Sequence, residues 1–188
     1  MKMKSNLLYL ALLGLFLITN SACEKDDPVI PNEEELITTV RYQLTPVNGG
    51  DAVTLSFQDL DGDGGDTPDV IGGTLAANTV YNGVMTLLNE AEDPAENITT
   101  EIEEEDEEHQ LFISSSVAGI SISYADEDED GNPIGLRSTL TTGAVGAGNI
   151  TVVLRHEPNK SATGVAGGDI TNAGGETDIE VAYPILVE

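Results

Sequence analysis

Basic and aromatic residues are scarce in this chain, and their scarcity excludes several classes of protein. The 188 residues include 7 Lys and Arg against 34 Asp and Glu, which gives a formal net charge of -27. A nucleic-acid-binding protein needs a basic face to neutralise phosphates, so nucleic acid is excluded as a partner. The chain also has no tryptophan, which argues against the aromatic sugar-stacking cleft of a glycosidase or a carbohydrate-binding module.

Cysteine and long apolar runs are nearly absent as well. A single cysteine excludes an intramolecular disulfide framework and a cysteine-rich zinc site. The longest apolar run, residues 7–18, is shorter than the roughly 20 residues that a membrane-spanning helix needs. Hydrophobic residues still make up 39% of the chain, which is enough for a folded core. No phosphate-binding loop, nucleophile elbow or zinc-protease motif is present, so we expect no enzymatic activity.

The first residues have the features of a targeting signal. A basic start at residues 1–4 is followed by the apolar run and then by small residues up to Cys23. This order is typical of a secretory signal that ends at a cleavage site. The Ser-Ala-Cys ending at residues 21–23 resembles the signal of bacterial lipoproteins, in which the cysteine is lipidated and becomes the mature N-terminus. We interpret residues 1–22 as the signal peptide, and a plain secretory signal with an incidental cysteine remains the alternative.

The segment after the cysteine carries a second resemblance. Residues 24–27, Glu-Lys-Asp-Asp, resemble the acidic export signal of surface lipoproteins from Bacteroidota. The resemblance implies a protein anchored to the outer membrane by the lipid on Cys23 and exposed on the outer face. The alternative is a solvated tether, because runs of charge are commonly solvated. In both cases residues 23–35 form an acidic, proline-containing tether, and residues 36–188 form the folded domain.

Period-two alternation of apolar and polar residues predicts an all-β domain from residue 36 onward. The predicted strands are residues 40–44, 53–57, 81–88, 120–124, 150–154 and 179–183. The turn residues Asn48, Gly49 and Gly50 predict a hairpin between the first two strands. Residues 96–108 lack an apolar stripe, so we expect at most a short helix there. Many short strands with glycine-rich turns predict an antiparallel β-sandwich, immunoglobulin-like or related.

Self-similarity predicts an internal duplication. Residues 53–64 and 120–131 share an alternating strand followed by an acidic turn, and a weaker match continues downstream at the same offset. The repeat halves would span about residues 51–113 and 118–186. We expect them to pack face to face, because neither half has enough apolar surface for its own core. Convergent strand and turn chemistry is the alternative explanation.

Two loops carry aspartate at alternate positions and then glycine. They contain Asp59, Asp61 and Asp63 before Gly64, and Asp126, Asp128 and Asp130 before Gly131. Calcium binds six to eight hard oxygen ligands, so these aspartates are candidate calcium ligands, and Asp66 could complete the first loop. The loops resemble the first half of an EF-hand loop, but Val70 and Arg137 stand where an EF-hand has its bidentate Glu. Calcium is therefore the candidate cofactor, with ordinary strand-end turns as the alternative.

The segment 155–160 concentrates scarce basic residues where a predicted strand ends. Loops at strand ends commonly carry binding residues. The candidate ligand-binding residues are Arg155, His156, Glu157, Asn159 and Lys160, with His109 as an additional member. Ion pairs to neighbouring acids are the simpler alternative. Two histidines without cysteine partners are a weak signal for a transition-metal site, although carboxylates could add ligands.

Together these features indicate a lipid-anchored protein of the outer-membrane surface with a binding or structural role and with calcium as a stabilising ion. The alternative is a substrate-capture accessory module of an outer-membrane uptake system, with an outer-membrane protein and a small solute or glycan as partners. A carboxylate-dependent hydrolase is less favoured because no catalytic motif accompanies the acids. A periplasmic-binding-type protein is less favoured because strands and helices do not alternate.

Overall fold

The computed structural model describes residues 36–62 and 64–188. The strands and the α-helix in these ranges are β1 (Thr39–Pro46), β2 (Val53–Gln58), β3 (Asp69–Ile71), β4 (Gly73–Leu75), β5 (Val80–Leu88), α1 (Ile98–Glu104), β6 (His109–Ser115), β7 (Ser121–Tyr124), β8 (Arg137–Thr141), β9 (Gly146–His156) and β10 (Glu176–Val187). No helix of this part of the chain is long and apolar enough to cross a membrane. The predicted signal peptide, Cys23, the tether and Asp63 lie outside the described residues.

The strands form two sheets that pack on a shared core. The six-stranded sheet has the order β3-β2-β1-β5-β8-β7, and the four-stranded sheet has the order β4-β10-β9-β6. The strand pairings are antiparallel, apart from the parallel pair β4 and β10. The predicted all-β sandwich is confirmed. The predicted hairpin is also confirmed, because β1 pairs with β2 and places Leu44 opposite Val53.

The predicted alternation supplies the core. Inward-facing residues of both sheets are buried, among them Val40, Tyr42, Leu44, Leu55, Met85, Leu87, Leu111, Ile150, Val152, Leu154, Val181 and Tyr183. Each fully buried aliphatic side chain contributes roughly 1.5–3 kcal/mol of transfer free energy. The buried tyrosine hydroxyls keep hydrogen-bond partners: the Tyr42 hydroxyl lies 2.7 Å from Ser138 Oγ, and the Tyr183 hydroxyl donates to the Val40 carbonyl at 3.1 Å.

A loop covers the outer face of the four-stranded sheet. Phe112 and Val153 point away from the main core and pack with Val165 and Ala173 of the loop that joins β9 to β10. The side-chain amide of Gln110 donates to the Val165 carbonyl at 3.0 Å and holds the loop in place. Because both of its faces are covered, β6 is buried at its first five positions.

The helix α1 lies where at most a short helix was expected. Ile98 and Ile102 are its buried residues, and both belong to the main core. The Thr99 hydroxyl accepts from the Leu87 N–H at 2.8 Å and donates to the Leu87 carbonyl at 3.1 Å. The helix therefore completes the backbone hydrogen bonds at the end of β5.

The two predicted halves interleave. The six-stranded sheet contains β2, β3 and β5 from the first half with β7 and β8 from the second. The four-stranded sheet contains β4 and β6 from the first half with β9 and β10 from the second. Each sheet thus draws on both halves, and the halves do not stack as separate layers. The described residues lie in one compact unit. The duplication itself stays a prediction.

Candidate functional site

The aspartates of the first loop accept hydrogen bonds from backbone N–H groups of the same loop. Asp59 Oδ1 accepts from the Gly62 N–H at 2.9 Å, and Asp61 Oδ2 accepts from the Asp66 N–H at 2.9 Å. Asp66 itself is exposed. Aspartate commonly closes turns by accepting a backbone N–H a few residues further on. These contacts are those of a strand-end turn, which is the alternative to a calcium loop.

The second loop uses its aspartates in a similar way. Asp126 accepts from the N–H groups of Gly135 and Arg137 at 2.8 and 2.6 Å. Asp128 Oδ1 accepts from the N–H groups of Asp130 and Asn132 at 3.1 and 2.7 Å. Among the described residues, no three carboxylates of either loop converge to within 4.8 Å of one another. Calcium binding at the loops stays a prediction.

Lys160 forms a buried ion pair with the second loop. Its Nζ lies 2.9 Å from Asp128 Oδ2, and the two side chains are 5% and 1% exposed. Lys160 Nζ also donates to the Asp106 carbonyl. Burial opposes ionisation of Asp128, but the hydrogen bonds from Lys160 and Asn132 outweigh it and lower the pKa of the carboxyl. The pair ties three loops together, so the ion-pair interpretation applies to Lys160.

The remaining members of the segment 155–160 are not gathered into one pocket. Arg155 Nη1 donates to the Gly175 carbonyl at 3.3 Å, and Asn159 Oδ1 accepts from the Ser161 hydroxyl at 2.8 Å. Glu157 is exposed and has a positive φ of 49°, which turns the chain sharply after β9. His156 is buried. Ligand binding by this segment as a unit stays a prediction.

His156 belongs instead to a cluster with His109 and Asp178. The two histidines are cross-strand partners at the ends of β6 and β9, and their rings stack with centroids 4.8 Å apart and 17° between the planes. Burial lowers the pKa of His109, which favours its neutral form. One donor atom of each histidine and one carboxylate oxygen of Asp178 lie within 4.8 Å of one another. These three side chains could hold a metal ion.

Both histidines belong to the site predicted from the sequence, and Asp178 does not. Nothing in the local sequence distinguishes this aspartate from the other acids of an acidic chain. Its position follows from a register shift between Thr177 and Ile179, where β10 pairs with β9. A second metal-ligating group, Glu108 with His156 and Glu157, lies at the exposed edge of the same cluster.

A groove of about 690 Å³ opens beside Asp178. Its apolar lining is Leu36, Ile37, Phe57, Leu60 and Ile179, and its acidic lining is Asp59, Asp61, Asp178 and Glu180. Leu36 is 59% exposed and Leu60 is 51% exposed, so two large apolar side chains face solvent here. The groove therefore offers an apolar floor and a negatively charged rim to a ligand.

No protein-family model, curated protein or solved structure matches this chain. The chemistry of the site is therefore inferred from its own residues. The groove can bind a solute of complementary shape and charge. The cluster of two imidazoles and one carboxylate has the ligand types of a transition-metal site.

Proposed function

We propose that the protein is a lipid-anchored binding module on the outer face of the outer membrane. The support for anchoring is Cys23 at the end of a secretory signal, followed by the acidic residues 24–27. The tether of residues 23–35 would hold the β-sandwich away from the lipid surface. Incorporation of a fatty-acid analogue at Cys23 is the direct measurement of lipidation.

The groove is the observation that supports a binding role. It is concave, and it presents apolar side chains that would otherwise be expected in a core. Ligand sites commonly combine an apolar lining with a few polar groups that fix orientation. The carboxylate oxygens of Asp178 are buried, so the polar groups available to a ligand are the carboxylates of Asp59, Asp61 and Glu180. The groove therefore favours a small solute with an apolar body and a cationic group.

The net negative charge of the whole molecule also favours a cationic solute. A net charge of -27 attracts cations toward the surface and repels anionic solutes. A substrate-capture module of an uptake system would use the same groove for the same class of solute. Recovery of an outer-membrane transporter with the full chain in a pull-down favours that version of the function.

A matched pair of probes tests the groove. Hexylamine is cationic at neutral pH, and hexanol is its neutral counterpart of equal chain length. We expect hexylamine to bind the full chain about threefold to fivefold more tightly, because a surface ion pair contributes up to about 1 kcal/mol. The measurement is a titration followed by NMR chemical shifts of groove residues such as Phe57 and Leu60.

The variant Asp59→Asn separates the groove from general charge attraction. Asparagine keeps the oxygen that accepts from Gly62, so the turn is retained while the charge is lost. We expect this variant to lose most of the preference for hexylamine. The control Asp51→Asn removes the same charge from the turn before β2, at the opposite end of that strand, and should keep the preference. Equal binding of both probes to the unmodified chain would reject the proposed ligand class.

A further inference from the structure

Three metal-ligating side chains meet at one end of the four-stranded sheet. His109 is the first residue of β6, His156 is the last residue of β9, and the register places them opposite each other. Asp178 comes from β10 on the other side of β9. The site is thus assembled from three adjacent strands, which hold a group more firmly than loops do.

A register shift brings Asp178 to the histidines. Ile179 packs on the main core, so regular alternation would turn the neighbouring Asp178 to the opposite face. The pairing of β10 with β9 is irregular between Thr177 and Ile179, and Asp178 is the extra residue. Bulges of this kind re-aim a side chain and are frequent beside functional sites. The bulge therefore turns the Asp178 carboxylate toward the two histidines, where it can serve as a third metal ligand.

The donor set matches zinc. Zinc binds imidazole nitrogen and carboxylate oxygen at about 2.0–2.2 Å in a tetrahedral arrangement, so neighbouring ligand atoms lie about 3.3 Å apart. The ligand atoms of His109, His156 and Asp178 already lie within 4.8 Å of one another. Binding would require side-chain rotations that close a difference of up to about 1.5 Å. Calcium prefers six to eight oxygens, so two imidazoles disfavour it here.

The hydrogen bond between the His109 ring and the backbone also suits a metal ligand. His109 Nδ1 lies 3.2 Å from the Glu105 carbonyl oxygen. A carbonyl only accepts, so this hydrogen bond requires the proton on Nδ1 and presents Nε2 as the ligand atom. Metal-ligating histidines commonly donate their other ring N–H to a backbone carbonyl in this way.

The cluster of His109, His156 and Asp178 is buried and lies beside the groove. His109 is fully buried and His156 is 5% exposed, so the fold would supply most of the coordination shell. Asp178 also lines the groove, so the cluster lies beside an opening of the surface. An ion that binds only the folded chain stabilises it by mass action.

We propose that His109, His156 and Asp178 bind one divalent transition-metal ion, best matched by zinc, which ties together the ends of β6, β9 and β10. This site goes beyond the solute binding proposed for the groove, because it depends on the two imidazoles and not on the apolar floor. Asp178 belongs to both sites, whereas the two imidazoles belong to the metal site alone and Asp59 to the groove alone. Asp59→Asn should therefore leave zinc binding unchanged, and His109→Gln should leave the hexylamine preference unchanged.

The first test uses the unmodified full chain. The protein is freed of metal by chelation and titrated with zinc chloride in high salt, which suppresses binding to exposed acids. We expect one zinc ion per chain and a higher melting temperature. We also expect the ring signals of both histidines to shift in NMR spectra, where they are unambiguous because the chain has only two. Zinc binding that leaves both rings unshifted would place the ion on surface acids and overturn the proposal.

The second test compares variants. Asp178→Asn and His109→Gln should each weaken zinc binding by at least about tenfold, because each removes a ligand of the ion. The matched control Asp51→Asn changes an exposed acid of the turn before β2 and should keep the affinity of the unmodified chain. Circular dichroism checks that each variant is folded. Unchanged zinc affinity in folded Asp178→Asn and His109→Gln would overturn the proposal, as would the absence of zinc binding by the unmodified chain.

Discussion

At the scale of single residues, the ion pair between Lys160 and Asp128 is buried and joins two loops that are distant in sequence. Replacing Lys160 with Met leaves a carboxylate in the interior without its cation. We expect Lys160→Met to lower the free energy of unfolding by about 3–5 kcal/mol, the usual cost of breaking a buried pair. Urea unfolding at neutral pH measures this loss.

A surface pair and a double variant control that prediction. Arg137 and Glu103 form an ion pair at 3.7 Å with both side chains largely exposed. We expect Arg137→Met to cost less than about 1 kcal/mol, because exposed pairs contribute little. Adding Asp128→Asn to Lys160→Met should recover part of the loss, since it removes the uncompensated charge. Equal losses for Lys160→Met and Arg137→Met would contradict a special role for burial.

The residue types of the site were partly evident from the sequence. Lys160 and His156 were singled out because basic residues and histidines are rare in this chain. Their partners could not be read in the same way, because Asp128 and Asp178 are two acids among 34. Which acid accompanies which base depends on contacts between strands and loops that are distant in sequence.

At the scale of elements, the helix α1 carries charge that opposes its own dipole. Its last turn contains no basic residue, and Glu103, Glu104 and the cap residue Glu105 lie at its C-terminal end. The C-terminus of a helix has a partial negative charge, so cations stabilise it and anions do not. We expect Glu104→Lys to stabilise the protein by about 0.5 kcal/mol, which is measured by urea unfolding at low salt.

A substitution outside the helix isolates the effect of the dipole. Glu92→Lys makes the same change of charge at an exposed residue between β5 and α1. It relieves general repulsion in an acidic chain but not repulsion by the helix end. We expect Glu104→Lys to stabilise more than Glu92→Lys at low salt, with the difference falling as salt screens it. An equal effect of the two variants would attribute the gain to net charge alone.

The strands that the sequence predicted are those in which apolar and polar residues alternate. The strands β1, β2, β5 and β9 contain clear alternation and were located from it. The strand β6 was not predicted, because a loop covers its outer face and removes the alternation. The strand β3 was not predicted either, because it has three residues and all are exposed.

At the scale of the whole molecule, groups with opposite pKa shifts change the free energy of unfolding in different pH ranges. Burial, and then the neighbouring glutamates, raise the pKa of Glu101, so the stability from its protonation is lost as the pH rises through that pKa. Hydrogen bonds from Thr39 and Arg41 lower the pKa of Glu90 below its usual 4.5, and the pKa of Asp128 is also lowered. Their contribution is lost as the pH falls through the lowered values.

Burial lowers the pKa of His109 below its usual 6.5, so its contribution falls between pH 7 and pH 5 and opposes that of Glu101. We therefore expect the free energy of unfolding to change little between pH 7 and about pH 5 and to fall by about pH 3. Urea unfolding at these three pH values measures the profile. Glu101→Gln should lower the stability at pH 5 relative to that at pH 7, because it removes the contribution that opposes His109, and Glu90→Gln should reduce the fall below pH 5. A fall between pH 5 and pH 3 that is unchanged in Glu90→Gln would contradict the predicted contribution of that carboxyl.

The sequence by itself determined the features that depend on local pattern and composition. Period-two alternation predicts strands, because side chains of a strand alternate between its two faces, and scarcity of basic residues predicts that nucleic acid is not a partner. Tertiary structure alone decided the sheet order, the cover on β6 and the meeting of His109, His156 and Asp178. These depend on register and packing between distant segments, where a shift of one residue turns a side chain to the other face.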